Sequence, residues 1–189
     1  MTSLPIYEDK KFENTDELIW VNALYENCEL SNCHLNELHL INTNLSQVTF
    51  NSAKLHLCDL TNSKLRDVTF RQCQLVGIDF SKIDSLIIEM NFYDCQMDSC
   101  NFSGLDLPKI NFQNCTLRNC DFIMTKLRSA DFRKTEFSRV MFHQTDLFKA
   151  DFRNALGYQI DPLLNNITKA KFSLPEAMNL LNSFNIELS

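Results

Sequence analysis

The spacing of the large apolar residues constrains the fold of this chain more than any other feature. Between Ala130 and Phe152 the sequence reads ADFRKTEFSRVMFHQTDLFKADF, and a bulky apolar residue stands at every fifth position. An amphipathic α-helix has a period of 3.6 residues and a half-buried strand has a period of 2, so neither element explains this spacing. A search for an internal repeat therefore precedes any assignment of helices and strands.

The period of five continues through most of the chain, and we call each of these apolar residues the centre of a repeat. One series runs at five-residue intervals from Trp20 to Phe80, and a second runs from Phe92 to Phe152. The residue two before each centre, here called the inner position, is small or aliphatic. All eight cysteines fall at inner positions: Cys28, Cys33, Cys58, Cys73, Cys95, Cys100, Cys115 and Cys120. We therefore predict that two residues in every five point inward, with the cysteines acting as small buried hydrophobic residues.

Three segments show the repeat in its clearest form: CDFIM at 120–124, ADFRK at 130–134 and ADFRN at 150–154. These segments resemble the consensus A-(D/N)-L-X-X of the pentapeptide repeat family. The resemblance covers about residues 18–154. It implies an all-β solenoid, a right-handed quadrilateral β-helix, in which four repeats make one square coil.

Residues that are 20 positions apart are chemically alike, which supports the square coil independently. Phe92, Phe112, Phe132 and Phe152 form one such column. Between Phe80 and Phe92 the phase slips, and a two-residue insertion before Ile87 restores it by placing Ile87 in the column of Leu45, Leu65 and Leu107. We predict an outward bulge near residues 81–86, with Lys82, Ile83 and Asp84 on it, within one continuous solenoid.

Both ends of a solenoid need covering, because their last strands would otherwise be exposed edges. Residues 1–17 are predicted to cover the N-terminal end. After Phe152 the period is lost, and Asp161-Pro162 and the capping box 173–176 favour helix starts. We predict that residues 155–189 form a C-terminal tail with a short α-helical cap, which ends at about Phe184. The apolar residues of this helix either cover the last coil alone or also join two copies as a homodimer: Met178, Leu181 and Phe184.

The sequence contains no motif for catalysis, metal binding or cofactor binding. It lacks G-x-S-x-G, a Gly-rich phosphate loop and H-E-x-x-H. Inward-facing cysteines have neither the exposure nor the charged partner that a nucleophile needs, and stacked pairs such as Cys95 and Cys115 have poor geometry for a disulfide. The four histidines do not have the spacing of a zinc site. We therefore predict a non-enzymatic protein without a cofactor.

The net charge of −6 is spread unevenly. Residues 1–19 carry five acidic and two basic residues, whereas residues 81–152 carry ten and nine. This mixture offers no basic patch for direct binding of nucleic acid. The chain contains no apolar run of membrane-spanning length and no signal-peptide pattern at its start, so we expect a soluble, cytoplasmic protein.

Several outward positions are candidates for binding a partner. Ile123, Met124 and Met141 share one face, where they form a contact surface, are scattered surface apolar residues, or are covered by the tail. Acidic columns occur only in pieces, as Asp59 with Asp79 and as Asp131 with Asp151. The predicted bulge adds Lys82, Ile83 and Asp84.

The segment from Ala155 onward resembles the C-terminal ends of a bacterial subgroup of the family, mainly in its I-D-P turn and its P-E-A-x-x-L-L helix. This subgroup includes Qnr-type resistance proteins, the mycobacterial protein MfpA and the immunity protein for microcin B17. Its members act on type II topoisomerases, chiefly DNA gyrase. The resemblance implies a homodimeric, rod-shaped mimic of DNA that binds gyrase and confers quinolone or toxin resistance. The alternative is a scaffold that docks another cytosolic protein.

Overall fold

The protein is a parallel β-solenoid of about eight coils. The structure is a computed structural model, and it describes residues 4–15, 21–37, 39–184 and 186. Three sides of the solenoid are parallel sheets, and the fourth is a ladder of single β-bridges. The predicted all-β solenoid with four repeats in each coil is confirmed. Trp20, predicted to be the first centre, lies outside the described residues.

The four sides are numbered here as faces in the order in which the chain passes through them. Face 1 contains Ile6–Glu8, Leu24–Glu26, Asn44–Ser46 and Lys64–Arg66. Face 2 contains Lys11–Glu13, Glu29–Ser31, Thr49–Asn51, Val68–Arg71, Met90–Tyr93, Asp151–Phe152 and Lys171–Phe172. Face 3 contains His34–Asn36, Lys54–His56, Gln74–Val76, Gln96–Asp98, Thr116–Arg118 and Glu136–Ser138. Face 4 contains bridges of His39 with Asp59, Asp79 with Asn101, Asn101 with Asp121, and Asp121 with Met141. The described residues also form two 3-10 helices, Phe80–Lys82 and Glu176–Phe184.

Neighbouring strands pair in parallel with a nearly constant register from coil to coil. Leu45 lies beside Leu65, and Phe50 lies beside Phe70. The step from Phe70 to its partner Phe92 is longer by two, as the two-residue insertion requires. Backbone hydrogen bonds therefore join each coil to the coils directly above and below it, as in other solenoids.

The chain turns each corner of the square at the residue two after a centre. Non-glycine residues at these corners have φ values of about 49° to 62°, from Asn27 at 49° to Lys109 at 62°. Asparagine is the residue found most often at the corners, because its short polar side chain tolerates the left-handed conformation. A corner residue is therefore restricted to a narrow range of φ even though its side chain lies outside the core.

Hydroxyl and thiol groups at inner positions donate hydrogen bonds to backbone carbonyls of the preceding coil. The Oγ1 atoms of Thr135 and Thr145 donate to carbonyl oxygens at 2.6 Å, and the Cys73 thiol donates to the Phe50 carbonyl at 3.3 Å. A buried carbonyl gains a partner in this way, which offsets the cost of its removal from water. All eight cysteines are buried, as predicted, and each carries a free thiol.

Two columns of phenylalanine rings fill the middle of the solenoid. On face 2 the rings from Phe50 to Phe172 stack with centroids 4.8 to 5.3 Å apart. On face 4 the rings from Phe80 to Phe142 stack at 4.6 to 5.3 Å. The two columns meet edge to face, for example where Phe112 and Phe122 lie 5.6 Å apart. Both arrangements are favourable for aromatic rings.

The two-residue insertion lies later in the chain than the sequence suggested. Ile83, predicted to project outward, is buried at an inner position, and the exposed loop consists of residues 85–87. The backbone explains the correction. Asp84 N donates to the Ser63 carbonyl in the regular pattern, and Glu89 N donates to the Leu65 carbonyl, so the extra residues must lie between Asp84 and Glu89.

Ile87 was predicted to lie in the inward column of Leu45 and Leu65, and this prediction is wrong. Ile87 is 47% exposed, whereas Ile88 packs against the core. The loop uses the chain up to Ile87 to return to face 1. The inward position therefore falls on Ile88, one residue later than predicted. One turn of 3-10 helix precedes the loop, with Asp79 capping it through a hydrogen bond from Ser81 N.

The solenoid extends into both segments that were predicted to cover its ends. The strands Ile6–Glu8 and Lys11–Glu13, within the predicted cap 1–17, pair with the strands of the first full coil. At the other end Phe152 pairs with Phe172, so the predicted boundary at residue 154 is too early. The final helix Glu176–Phe184 has 3-10 rather than α geometry.

Candidate partner-binding surface

The outward side chains of face 4 change in character along the solenoid. Each residue of this series immediately precedes a centre, so all of them point to the same side. The series is His39, Asp59, Asp79, Asn101, Asp121 and Met141. It is acidic at Asp59, Asp79 and Asp121 and apolar at Met141.

The carboxylates of Asp59 and Asp79 are held in fixed orientations on adjacent coils. Asp59 accepts hydrogen bonds from the hydroxyl and the backbone N of Thr61, at 2.5 and 3.0 Å. These bonds hold the pKa of Asp59 below its usual range, because they stabilise the ionised form. Asp79 accepts from Ser81 and from Asn101 Nδ2 at 3.0 Å, and Lys82 Nζ lies 3.6 Å from it. Both carboxylates are therefore held in place on face 4, and Lys82 offsets part of the charge of Asp79.

Asp131 and Asp151 also lie on adjacent coils, but they belong to face 2. Each carboxylate is paired with the arginine two residues later. Arg133 Nη2 and Arg153 Nη2 lie 2.5 and 2.6 Å from their partners. The hydrogen bond from Arg153 lowers the pKa of Asp151. Because an arginine neutralises each acid in place, this pair presents no negative stripe to a partner.

Apolar side chains gather at the C-terminal end of face 4. Met124 and Met141 are 62% and 52% exposed, and Ile123 is half-buried. The next coil adds Leu163 and Leu164, which the sequence reasoning missed because the period of five had ended. The signal for them was a pair of adjacent leucines directly after Pro162. We call these five residues the methionine patch: Ile123, Met124, Met141, Leu163 and Leu164.

The exposed loop on face 1 presents two apolar side chains that were not predicted as site residues. Leu86 is 80% exposed and Ile87 is 47% exposed. Asp84 fixes the base of the loop, because its carboxylate accepts a hydrogen bond from Leu86 N at 3.0 Å and lies 3.9 Å from Lys64 Nζ. The loop is therefore held at its base while its tip faces solvent.

The C-terminal 3-10 helix covers the last coil with one side. Leu180 packs against the core, and Leu181 is half-buried. Met178 and Phe184, two of the predicted dimer residues, are 45% and 47% exposed. The helix thus leaves apolar surface at the end of the solenoid.

The buried thiols and the scattered histidines form no chemical centre in the part of the chain that the structure describes. Contact with the Cys95 thiol, together with burial, raises the pKa of Cys73 and Cys115, which keeps both thiols protonated. Within the described ranges, three or more side chains suited to binding a metal never come together. Among the helices described, none has the length and apolar character needed to cross a membrane.

Charge is distributed unequally between the two halves of the chain. Residues 1–100 carry 15 acidic and 7 basic residues, a balance of −8. Residues 101–189 carry 9 acidic and 11 basic residues, a balance of +2. The acids of face 4 at Asp59 and Asp79 belong to the negative half, and the methionine patch belongs to the other.

The sequence profile of the pentapeptide repeat region matches residues 23–91 and 90–156. The fold is similar to two trypsin-treated variants of QnrB1, a plasmid-mediated fluoroquinolone resistance protein, with 17% sequence identity to each. The first comparison covers 98% of both chains with a TM-score of 0.65. The second covers 99% of this chain and 100% of the other with a TM-score of 0.64.

A weaker similarity is found to HetL, a pentapeptide repeat protein involved in the regulation of heterocyst differentiation in the cyanobacterium Nostoc. The identity is 13%, the coverage is 88% of this chain and 84% of HetL, and the TM-score is 0.41. No curated protein matches the chain in sequence.

Proposed function

The chain belongs to the pentapeptide repeat family, and from that premise we propose that it is an interaction protein that binds a type II topoisomerase, DNA gyrase, and confers resistance to quinolones or to a toxin. The observation that carries the proposal is the match to QnrB1, a fluoroquinolone resistance protein, over 98% of both chains. The loop, the final coil and the C-terminal helix all fall within a comparison of that extent.

The dimensions of the solenoid support a role as a mimic of duplex DNA. About eight coils at about 4.8 Å each give a rod about 38 Å long, which equals about 11 base pairs of B-DNA. Two copies joined at their C-terminal helices through Met178, Leu181 and Phe184 would double this length. We propose this homodimer as the working form of the protein.

The charge supports mimicry only on part of the rod. A duplex of about 38 Å carries about 22 phosphates, whereas the negative half of this chain has a balance of −8. Asp59 and Asp79 lie on adjacent coils of this half, and Lys82, 3.6 Å from Asp79, offsets only part of their combined charge. We therefore place the DNA-like contact on face 4, with Asp121 continuing it toward the methionine patch.

Apolar contacts complete the proposed binding surface. Met124 and Met141 offer flexible side chains, which adapt well to a partner surface. Leu86 projects from face 1 at the tip of the exposed loop. We assign to this loop tip the contact that the sequence placed at Lys82, Ile83 and Asp84, because Ile83 is buried and Asp84 supports the loop.

A supercoiling assay with purified gyrase tests the proposal, in the presence and absence of a quinolone. We expect the protein to bind gyrase at micromolar concentration and to restore supercoiling in the presence of the drug. The double variant Asp59→Asn/Asp79→Asn should weaken binding about tenfold, the equivalent of about 1.4 kcal/mol. The matched control, Glu13→Gln/Glu136→Gln, removes the same charge from exposed positions on faces 2 and 3 and should bind like the parent.

Absence of binding, inhibition and protection at micromolar concentration would refute the topoisomerase role. Equal weakening by the two double variants would instead refute the placement of the contact on face 4. The competing proposal is a scaffold that docks another cytosolic protein through the methionine patch, which is favoured by the exposure of Met124 and Met141. Under that proposal a pull-down from bacterial lysate yields prey without gyrase subunits, and Met124→Asp/Met141→Asp abolishes the capture.

A further inference from the structure

The edge at which face 1 meets face 2 carries a series of side chains that is ordered by charge. Each residue of the series stands two after a centre of face 1 and has a positive φ of about 49° to 62°, so all of them occupy the same corner of successive coils. We call the series the edge ladder: Asp9, Asn27, Gln47, Asp67, Lys109, Ser129, Lys149 and Lys169. Acids and amides occupy its N-terminal half, and lysines with one serine occupy its C-terminal half.

The charges of the edge ladder are exposed, and among the described residues none of them pairs with an opposite charge. Lys149 and Lys169 lie over the ring of Phe148, with Nζ 5.2 and 6.0 Å from its centroid. Among the described residues, the aspartate and the three lysines that follow Gln47 in the ladder form no ion pair, and the carboxylate of Asp9 is bonded only to the amide of Asn27. Neighbouring charges on face 1 behave differently, since Lys126 pairs with Asp106 at 2.9 Å. The ladder charges therefore remain available to a partner on this side of the solenoid, as does the exposed carboxylate of Glu26.

The ladder is self-complementary when two copies run in opposite directions. The coil with the exposed loop separates its two halves, and it lies four coils from both Asp9 and Lys169. Asp67 and Lys109 lie one coil from it on either side. A two-fold axis through that coil would place Lys169 opposite Asp9 and Lys109 opposite Asp67, each of them twice. The two remaining pairs, Lys149 with Asn27 and Ser129 with Gln47, join polar groups.

From this arrangement we propose that face 1 is a docking surface for a second copy of the same chain, packed side by side and antiparallel. The loop would lie at the centre of the interface, where Leu86 and Ile87 of the two copies meet. Ion pairs would lie toward the ends. An apolar centre within a polar rim is the usual anatomy of a protein interface. Glu26, exposed on face 1 opposite Lys149, adds to the pairing.

Charge complementarity favours a second copy of the chain over a long polyanion as the partner. A long polyanion that followed the lysines along the edge would run into Asp67 and Asp9 in the other half. An antiparallel copy meets the opposite sign in both halves. Each exposed ion pair contributes little, and salt screens it, so the association is weak and depends on ionic strength. This interface is separate from the proposed contact through the C-terminal helix and does not rest on topoisomerase binding. It uses the same loop tip at Leu86 as the proposed topoisomerase contact, so the two contacts exclude each other.

Sedimentation velocity of the full chain tests the proposal, over low-micromolar to submillimolar protein concentration. The parent for this test carries Met178→Glu/Phe184→Glu, which removes association through the C-terminal helix. We expect this parent to dimerise at low salt and to bind about tenfold more weakly at high salt, where the Debye length is short. Leu86→Asp in the same background should reduce dimerisation, because it places two like charges at the centre of the interface.

Two charge variants of this parent give the decisive comparison. Lys109→Glu/Lys169→Glu replaces two lysines of the ladder by acidic residues. Asp9→Lys/Asp67→Lys replaces its two aspartates by lysines. Lysine already occupies the same corner conformation at Lys109, Lys149 and Lys169, so the second variant should fold. We expect each variant alone to be monomeric and an equimolar mixture of the two to form a heterodimer.

Three results would overturn the proposal. The first is a parent that stays monomeric at every concentration, which would assign the edge ladder to some other partner. The second is dimerisation that persists in both charge variants, which would locate the contact elsewhere. The third is a mixture that stays monomeric while circular dichroism shows both variants folded.

Discussion

Replacement of Phe112 by alanine should destabilise the solenoid more than a change of the same size at its end. Phe112 is completely buried. Its ring stacks on Phe92 and Phe132 with centroids 5.1 Å away, and it meets Phe102 and Phe122 edge to face at 5.5 and 5.6 Å. Phe112→Ala therefore opens a cavity in the centre of the core and removes four aromatic contacts at once.

The magnitude follows from these contacts. Truncation of a buried phenylalanine costs about 3–5 kcal/mol, and each aromatic contact contributes about 0.5–1.5 kcal/mol beyond burial. Because both coils that flank Phe112 are fully formed, we expect a loss near the upper value, about 5 kcal/mol. For a chain of this length the melting temperature should fall by about 10–20 °C. Phe112→Leu keeps most of the buried area and should cost about 2 kcal/mol, mainly from the lost ring contacts.

Urea unfolding followed by circular dichroism measures these differences. Phe172→Ala is the matched control, because this half-buried ring stacks only on Phe152, at 5.3 Å, and touches Tyr158. We expect it to cost about 1–2 kcal/mol, since few contacts are lost at the end of the stack. Equal losses for Phe112→Ala and Phe172→Ala would refute the reasoning, as would a Phe112→Leu variant that is as stable as the parent.

Three further predictions concern the backbone, the thiols and the carboxylates. Gly157→Ala should lower the melting temperature more than Gly104→Ala does: both glycines have positive φ, but a Cβ at Gly157 would lie 2.4 Å from the Phe137 carbonyl oxygen, whereas one at Gly104 meets nothing within 4 Å. All eight cysteines are buried, so a thiol reagent should label none of them in the folded protein and all eight after denaturation; rapid labelling at neutral pH would contradict this. Stability should fall in acid, because Thr61, Asn119 and Arg153 donate hydrogen bonds that lower the pKa of Asp59, Asp98 and Asp151 in the folded state. Their contribution is present above the usual aspartate pKa of about 3.9 and is lost as the pH falls through the lowered values. Urea titrations at a series of pH values should show this loss, and Asp59→Asn should reduce the slope.

The core was predictable from the sequence because every coil gives its centres the same surroundings. Phe112 and Phe132 occupy equivalent sites on adjacent coils, so the same side chain satisfies both. The extent of the final coil was missed, although Ile167 and Phe172 keep the spacing of one coil from Leu147 and Phe152. Gly157 and Pro162 interrupt the period of five there without interrupting the stacking of coils. A search at the longer spacing would have found this coil.

The position of the loop was less predictable, because several isoleucines compete for the same inward site. Ile83, Ile87 and Ile88 are all apolar, and only the hydrogen bonds of Asp84 and Glu89 decide which of them face the core. The period of five shows that two residues are inserted between Phe80 and Phe92, but it does not show where they lie.

The predicted acidic columns show a second limit of the sequence. Asp59 and Asp151 look alike in the repeat, yet Arg153 closes on Asp151 from two residues away. Residues directly before and after a centre point to the same side of the coil. An aspartate before a centre and an arginine after the same centre are therefore placed to pair, as Asp151 and Arg153 do.

The register between coils makes the angular relation between surface features sensitive to small changes of length. One extra repeat would rotate everything downstream by a quarter turn and move the methionine patch away from Asp59 and Asp79. A whole extra coil would lengthen the rod while preserving that alignment. The loop at residues 85–87 avoids the rotation, because its added length leaves the square and returns to it at the same corner. The solenoid therefore tolerates an insertion that forms a complete coil or one that projects outward as a loop.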